Sequence, residues 1–245
     1  MKVAVILPAA GLGTRMGRTS AEKAGTSRKQ FMLLDGSPIL LHTVRKFAAS
    51  ERVHEIVVAV RREDLGWVTD LLQRETGTKR LRVVEGGNSR QQSVENALRA
   101  LDPDTGLVAV HDAVRPFIDL ETINKVIDEA AESGAAIVGI VPVDTVKQVT
   151  RAQTNKAKIR ATLPREKLVL AQTPQVFRYD LLVRAFETAQ NDGFTGTDES
   201  SLVERLEVEV SVVLGTDRNI KITKPGDMDL ANLFLRDEMA KEART

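Results

Sequence analysis

Residues 1–17 read MKVAVILPAAGLGTRMG: a nearly unbroken β-branched run, 2–7 (KVAVIL), turns directly into a loop of small residues and glycines. A run apolar at consecutive positions suits a strand buried on both faces, as in a parallel sheet. Outward from it, the apolar spacing of Leu40, Val44 and Phe47 predicts a helix over 39–49, and 55–60 (EIVVAV) a second buried strand. A short strand over 82–84 precedes Gly86-Gly87. A helix over 89–101 carries Val94, Ala97, Leu98 and Leu101 on one face, with Ser89 and Gln92 spaced as a capping box. A strand over 107–110, a helix over 120–131 (Leu120, Ile123, Val126, Ile127, Ala130) and a strand over 135–141 follow. Strand and helix alternate, which implies crossover units: an α/β fold with a mostly parallel central sheet and helices on both faces. Ligand sites of such sheets lie at the carboxyl ends of the strands, here after Leu7, Val60, Val84, Val110 and Val141.

Past residue 141 the pattern breaks. Short β-prone pieces at 145–149 and 159–162 flank a polar stretch, so about 142–168 reads as a projecting β-hairpin. Exposed hairpins seldom remain unpaired, which makes this one a candidate dimerisation arm. Regular order resumes with a helix around Leu181, Leu182, Ala185, Phe186 and Ala189. A short helix near 198–205, a strand over 209–214 and a helix starting near Pro225 follow. No repeat or linker divides the chain, so 1–245 is expected to be one domain with an excursion.

The 245 residues are 42% hydrophobic and 28% charged, with net charge +1 and no cysteine. Disulfides, thiol catalysis and zinc-thiolate sites are therefore excluded. The charge balance argues against a protein that coats nucleic acid or an anionic membrane. The longest apolar stretch, 135–143, is far shorter than the roughly 20 residues of a membrane-spanning helix. The expectation is a soluble, cytoplasmic protein without nucleic-acid or membrane partners.

Chemistry-bearing residues gather at the strand ends. Ala9, Ala10, Gly11 and Gly13 let backbone N–H groups approach phosphate oxygens, and Arg15 adds a fixed charge. Arg28-Lys29-Gln30-Phe31 reads either as a solvated basic turn or as the carrier of a phosphate-facing lysine. At Gly86-Gly87-Asn88-Ser89-Arg90-Gln91-Gln92-Ser93, glycines allow close approach to a flat base whose edge Asn88 and Ser93 can read; a merely capped helix start fits too. In His111-Asp112-Ala113-Val114-Arg115-Pro116, Asp112 suits a ribose hydroxyl or a metal, Arg115 a phosphate, and His111 a structural role. Leu163-Pro164-Arg165, Thr173-Pro174-Gln175, Gly196-Thr197-Asp198-Glu199 and Asn219-Ile220-Lys221-Ile222-Thr223 complete the set. A short strand at the last would point Lys221 opposite to Ile220 and Ile222. Cations and glycines at strand ends, with no nucleophile–base pair and no metal-ligand spacing, suit phosphoryl or nucleotidyl transfer. An attacking phosphate monoester, with a second pKa of about 6, is already anionic near neutrality and needs no base.

Occurring together and in order, these motifs make the chain resemble the 2-C-methyl-D-erythritol 4-phosphate cytidylyltransferases of the non-mevalonate isoprenoid pathway. The likeness covers nearly the whole chain; His-Asp-Ala-x-Arg-Pro at 111–116 and Asn-Ile-Lys-x-Thr at 219–223 are its most specific parts. It implies a glycosyltransferase-A-like nucleotidyltransferase fold and a homodimer joined by the arm. It also implies transfer of CMP from CTP to methylerythritol phosphate, with Mg²⁺ or another divalent cation held mainly by the CTP phosphates and no direct protein ligand. By motif position, Arg15 and Lys29 stabilise the transition state, and Arg165 and Lys221 hold the polyol phosphate. Asp112, Arg115, Thr145 and Thr173 line that pocket, while Ala9, Ala10, Gly11, Gly87, Asn88 and Ser93 surround CTP.

Three positions depart from the family pattern. Arg28 stands where the family has proline, and an insertion containing Lys23 separates Arg15 from Lys29 by fourteen positions. Gln30 and Phe31 continue the motif after Lys29, with Lys23 the alternative lysine. Residue 88 is Asn where some relatives carry Asp. The motif around Arg165 is degenerate, and a partner's arm is a source for that residue. Alternative readings are a cytidylyltransferase for another polyol phosphate such as ribitol 5-phosphate, an NADP-dependent reductase using Gly11-x-Gly13-x-x-x-Gly17, and a non-catalytic nucleotide-binding module.

Overall fold

A computed structural model describes residues 1–11, 28–74, 80–150 and 157–242. Gly13, Arg15 and Lys23 lie outside the described residues. The first strand, β1 (Lys2–Pro8), is followed by a small hairpin, β2 (Leu33–Leu34) and β3 (Ser37–Pro38), and by helix α1 (Ile39–Ala48). Then come β4 (Val53–Val60), α2 (Leu65–Gln73), β5 (Arg80–Glu85), α3 (Arg90–Arg99), β6 (Thr105–Val110), α4 (Leu120–Ser133) and β7 (Ala135–Ile140). The elements expected from the sequence appear in that order with ends shifted by a few residues, while the β2–β3 hairpin and α2, the crossover helix between β4 and β5, were not among them.

The main sheet runs β5–β4–β1–β6 in parallel, as the crossover argument requires. Side chains alternate across it. Val3, Val5 and Leu7 of β1 enter one buried cluster with Leu40, Val44 and Phe47 of α1 and Ile123 and Val126 of α4. Ala4 and Ile6 enter the opposite cluster with Val94, Ala97 and Leu98 of α3. Two buried faces explain why the strand sequences show no polar alternation.

Beyond β7 the chain forms the expected hairpin, β8 (Lys147–Val149) with β9 (Ile159–Thr162), an antiparallel pair separate from the main sheet. It then forms a strand that apolar periodicity did not reveal, β10 (Leu170–Arg178), inserted antiparallel between β6 and β7. Pro174 and three polar residues disguised it. Pro174 falls in the register break between Ala171 and Gln175, where the ladder needs no N–H. Gln172, Thr173 and Gln175 are buried but hydrogen-bonded. Helices α5 (Tyr179–Asn191) and α6 (Ser200–Glu204), edge strand β11 (Ser211–Leu214) parallel to β7, and α7 (Pro225–Glu242) complete the fold. The short strand expected at 219–223 is not a strand: the segment is irregular, and Ile222 N–H bonds the Val114 carbonyl without a neighbouring ladder. Its alternation survives nonetheless. Ile222 is buried in a third apolar cluster with Phe117 and Ala231, Ile220 packs against that cluster, and Lys221 faces the other way.

Candidate active site

The carboxyl ends of β1, β4, β5 and β6 surround one cavity of about 560 Å³. Its first wall is the backbone from Pro8 to Gly11. Ala9 N–H extends the ladder to the Ala59 carbonyl at 2.7 Å, and Gly86 N–H reaches the Val60 carbonyl at 2.6 Å. These two loops touch: a Cβ on Gly86 would lie 2.7 Å from that of Ala10, so only glycine lets them close up. Ser89 caps α3 by accepting from Gln92 N–H. The other half of the capping box is displaced by one residue, because Gln92 Oε1 accepts from Asn88 N–H at 2.8 Å and so fixes the loop that faces the cavity. Ser93, also on the cavity wall, accepts from Gly87 N–H at 3.0 Å and donates to the Ser89 carbonyl at 2.8 Å.

Lys29 stands on a single helical turn, Lys29–Phe31, at the cavity rim. The buried Gln30 amide donates to the Ala9 carbonyl at 2.6 Å and to Gly11 at 3.0 Å, tying this turn to the first loop. Arg28 is not on the cavity wall. Its guanidinium pairs with the buried Asp64 carboxylate, which also accepts from Trp67 Nε1 at 3.1 Å. The cation in place of the family's proline thus anchors the turn from behind.

The carboxylate of Asp112, just beyond β6, lines the same cavity. Lys221 Nζ sits 2.8 Å from its Oδ2, Arg115 Nε 3.3 Å from the same oxygen, and Arg90 Nε 3.3 Å from Oδ1. Burial by itself would raise the Asp112 carboxyl, but Arg90, Lys221 and Arg115 together hold it well below the usual carboxylate range. Burial lowers the Arg115 guanidinium, with Asp112 opposing. Arg90 is raised: burial disfavours its charge, and the Glu199 and Asp112 carboxylates outweigh that cost. Behind Asp112, Thr173 Oγ1 accepts from the Asp112 backbone N–H and lies 3.1 Å from His111 Nδ1. His111 Nε2 is 3.0 Å from the Arg115 carbonyl, which only accepts, so Nε2 carries the proton and Thr173 donates to Nδ1. Burial pushes His111 down to about 4, consistent with a neutral, structural ring.

The fold therefore brings Ala9, Ala10, Gly11, Lys29, Gly87, Asn88, Ser93, Asp112 and Lys221 around one cavity. Arg115 and Thr173 lie behind Asp112 rather than on the wall. Thr145 and Arg165 lie on the arm, where Arg165 donates to the Val143 carbonyl, and neither is on the wall of this cavity. Two cavity arginines were not singled out from sequence. Arg90 was hidden in a capped helix start, and its position as the first helical residue next to Gly86-Gly87 was the available signal. Arg61, at the end of β4, pairs with Glu63 at 3.1 Å.

Residues 3–237 match the sequence profile of 2-C-methyl-D-erythritol 4-phosphate cytidylyltransferase, IspD. The chain belongs to that family. Among its relatives, the cytidylyltransferase of that name from Solibacter usitatus is 73% identical over 241 residues, 98% of each chain. The one from Acidobacterium capsulatum is 50% identical over 242 residues, 98% of this chain and all of the other. In three dimensions the fold resembles 4-diphosphocytidyl-2C-methyl-D-erythritol synthase from Anaerococcus prevotii (TM-score 0.81, 30% identity, 96% of this chain and 98% of that one). It also resembles the Francisella tularensis cytidylyltransferase (TM-score 0.76, 32% identity, 95% and 99%). The expected nucleotidyltransferase fold and the cytidylyltransferase activity class are thereby borne out, and these relatives give no support to the reductase, binding-module or ribitol phosphate readings. Among the described residues no helix is long and apolar enough to cross a membrane.

Proposed function

We propose that this cavity transfers CMP from CTP to 2-C-methyl-D-erythritol 4-phosphate. An oxygen of the substrate phosphate attacks the CTP α-phosphorus in line, the α–β anhydride bond breaks, and pyrophosphate leaves with its electron pair. The observation that carries this reading is that one cavity is lined by both ammonium groups, Lys29 and Lys221, together with Arg61, Arg90 and the small-residue loops Ala9-Ala10-Gly11 and Gly87-Asn88-Ser89. In this assignment the 86–88 loop receives the base, the 9–11 backbone the phosphates, and Lys29, with Arg15, the charge that develops on them. Asp112 and Lys221 take the polyol phosphate, with Arg115 and Thr173 holding Asp112 in place. Preorganised cations of this kind act without reorganising during the reaction.

The divalent cation enters as part of the nucleotide substrate. Among the described residues no group of three or more His, Asp or Glu side chains is placed to hold a metal ion, and the cavity's Asp112 is already engaged with three cations, so the ligands of the divalent cation are assigned to the triphosphate. Both substrates are polyanions that cross bilayers poorly, which favours the cytoplasm as the site of action.

The active form is assigned as a homodimer of one domain, 1–245, with the arm at about 142–168 reaching a second copy. Support comes from exposed apolar side chains concentrated there and on the adjoining sheet edge, Val143, Val149, Ile159, Leu170, Val212 and Leu214. Thr145 and Arg165, which are not on the wall of their own cavity, then complete the cavity of the other copy. The test is pyrophosphate release from CTP and Mg²⁺ with methylerythritol 4-phosphate, in parallel with ribitol 5-phosphate. Release with the first only is expected; release with the second only would move the enzyme to another polyol.

A further inference from the structure

The Thr197-Asp198-Glu199 stretch is left without a role by the assignment above, yet it holds a deeply buried carboxylate beside the cavity. Glu199 is 2% exposed at its side chain and is not on the cavity wall. Its placement is fixed from β10: Gln175 Oε1 accepts from Ser200 N–H at 2.9 Å, and Gln175 Nε2 donates to Asp198 at 2.8 Å. A buried carboxylate persists only when paired, and here the partner is Arg90, whose Nη1 reaches both Glu199 oxygens at 2.7 and 2.9 Å.

We infer that Glu199 is a positioning residue for catalysis: through Arg90 it orients the Asp112 carboxylate and thereby sets the place of the Lys221 ammonium. The geometry supports a relay in which each member constrains the next. With Nη1 held by Glu199, Arg90 presents Nε to Asp112 Oδ1 at 3.3 Å, leaving Oδ2 for Lys221 at 2.8 Å and Arg115 at 3.3 Å. The two oxygens of Asp112 are thus divided between the nucleotide-side helix α3 and the polyol-side residues. Glu199 also neutralises Arg90. Without it, Arg90 keeps Asp112 as its carboxylate partner and is free to draw Asp112 from Lys221 or to compete with Lys221 for the incoming phosphate. Removing one member of such a network changes the geometry of the rest, whereas an ordinary structural pair would change only stability.

The inference rests on the assignment of Asp112 and Lys221 to the polyol phosphate, and the test separates the two. Steady-state kinetics for both substrates and thermal unfolding are measured on Glu199→Gln, Lys221→Ala and the double variant. Glu199→Gln is expected to raise KM for methylerythritol 4-phosphate by about tenfold, the scale of a sub-ångström misplacement, with KM for CTP moving by less than about twofold. In the Lys221→Ala background the same change should add less than about twofold, because its route to the substrate is already gone. A normal polyol KM in Lys221→Ala would overturn the assignment and the inference with it. A raised KM in Lys221→Ala beside a normal one in Glu199→Gln, a matching rise for both substrates, or full additivity would overturn the inference alone. If Glu199→Gln does not fold, Arg90→Lys decides the matter. It keeps a cation for Glu199 but loses the fork that reaches Asp112, so it should show the same selective rise, and its absence would equally refute the relay.

Discussion

The side-chain amide of Gln30 donates to the backbone carbonyl of Ala9 at 2.6 Å, joining the turn that carries Lys29 to the loop that ends β1. Gln30 is buried, and its second contact, to Gly11, lies at 3.0 Å. A charge-bearing turn preceded by a long insertion is thereby held against the site from inside. Gln30→Leu keeps the volume and removes both donors, leaving two carbonyls without their partner. We expect a loss of about 1–3 kcal/mol in stability, together with a fall of at least about tenfold in kcat/KM for CTP through misplacement of Lys29. Denaturant unfolding and initial rates at varied CTP check this. A destabilised variant with unaltered kinetics would reduce Gln30 to a core contact.

Lys29 itself should behave as a preorganised charge. Lys29→Ala and Arg15→Ala are each expected to lower kcat by at least about 10², the scale for loss of one such group. A near-normal kcat in Lys29→Ala would shift the role to Lys23.

His111 makes acid sensitivity specific. Burial depresses its pKa to about 4 from an ordinary 6.5, so between those values the unfolded chain binds the proton that the folded chain refuses. Its contribution is complete above about pH 6.5 and is lost as pH falls toward 4, amounting to about 3 kcal/mol at full extent. Urea midpoints measured at pH 7 and at pH 4.5 should therefore converge less in the native enzyme than in His111→Asn, whose own pH dependence lacks this component. Identical pH dependence in the two proteins would show that His111 does not titrate in this way.

The arm yields a complementation test. In a mixed dimer of Lys29→Ala and Arg165→Ala chains, one cavity carries both defects and the other carries none. Random mixing of two inactive homodimers should then restore about a quarter of native activity, given two-fold symmetric exchange of arms. If the arm serves its own cavity, mixing restores nothing. Removal of residues 147–162 should also yield monomers by sedimentation.

Much of this is legible in the amino-acid sequence alone. The consecutive β-branched run in β1 and the three-and-four spacing of Leu40, Val44 and Phe47 announce a two-faced parallel sheet, because each reports a local period that burial then satisfies. Small residues after those strands mark where a ligand can meet the backbone. β10 escaped because half of its buried positions are Gln172, Thr173 and Gln175, whose suitability depends on partners elsewhere. Asn219, for example, donates to Gln172 at 2.9 Å from 47 positions away.

The sequence by itself determined the α/β layering, the strand ends that form the site, the capped start of α3 and, through its ordered motifs, the family. These are properties of short windows, in which propensity, periodicity and capping act within a few residues. Tertiary structure alone decided that β10 runs antiparallel through the middle of the sheet, that Arg28 turns to Asp64 rather than to the cavity, and that Arg90 joins Glu199 to Asp112. Arg90 and Glu199 stand 109 positions apart. A buried charge has no local signature of its partner, since what stabilises it is the low-dielectric neighbourhood that only the folded chain creates.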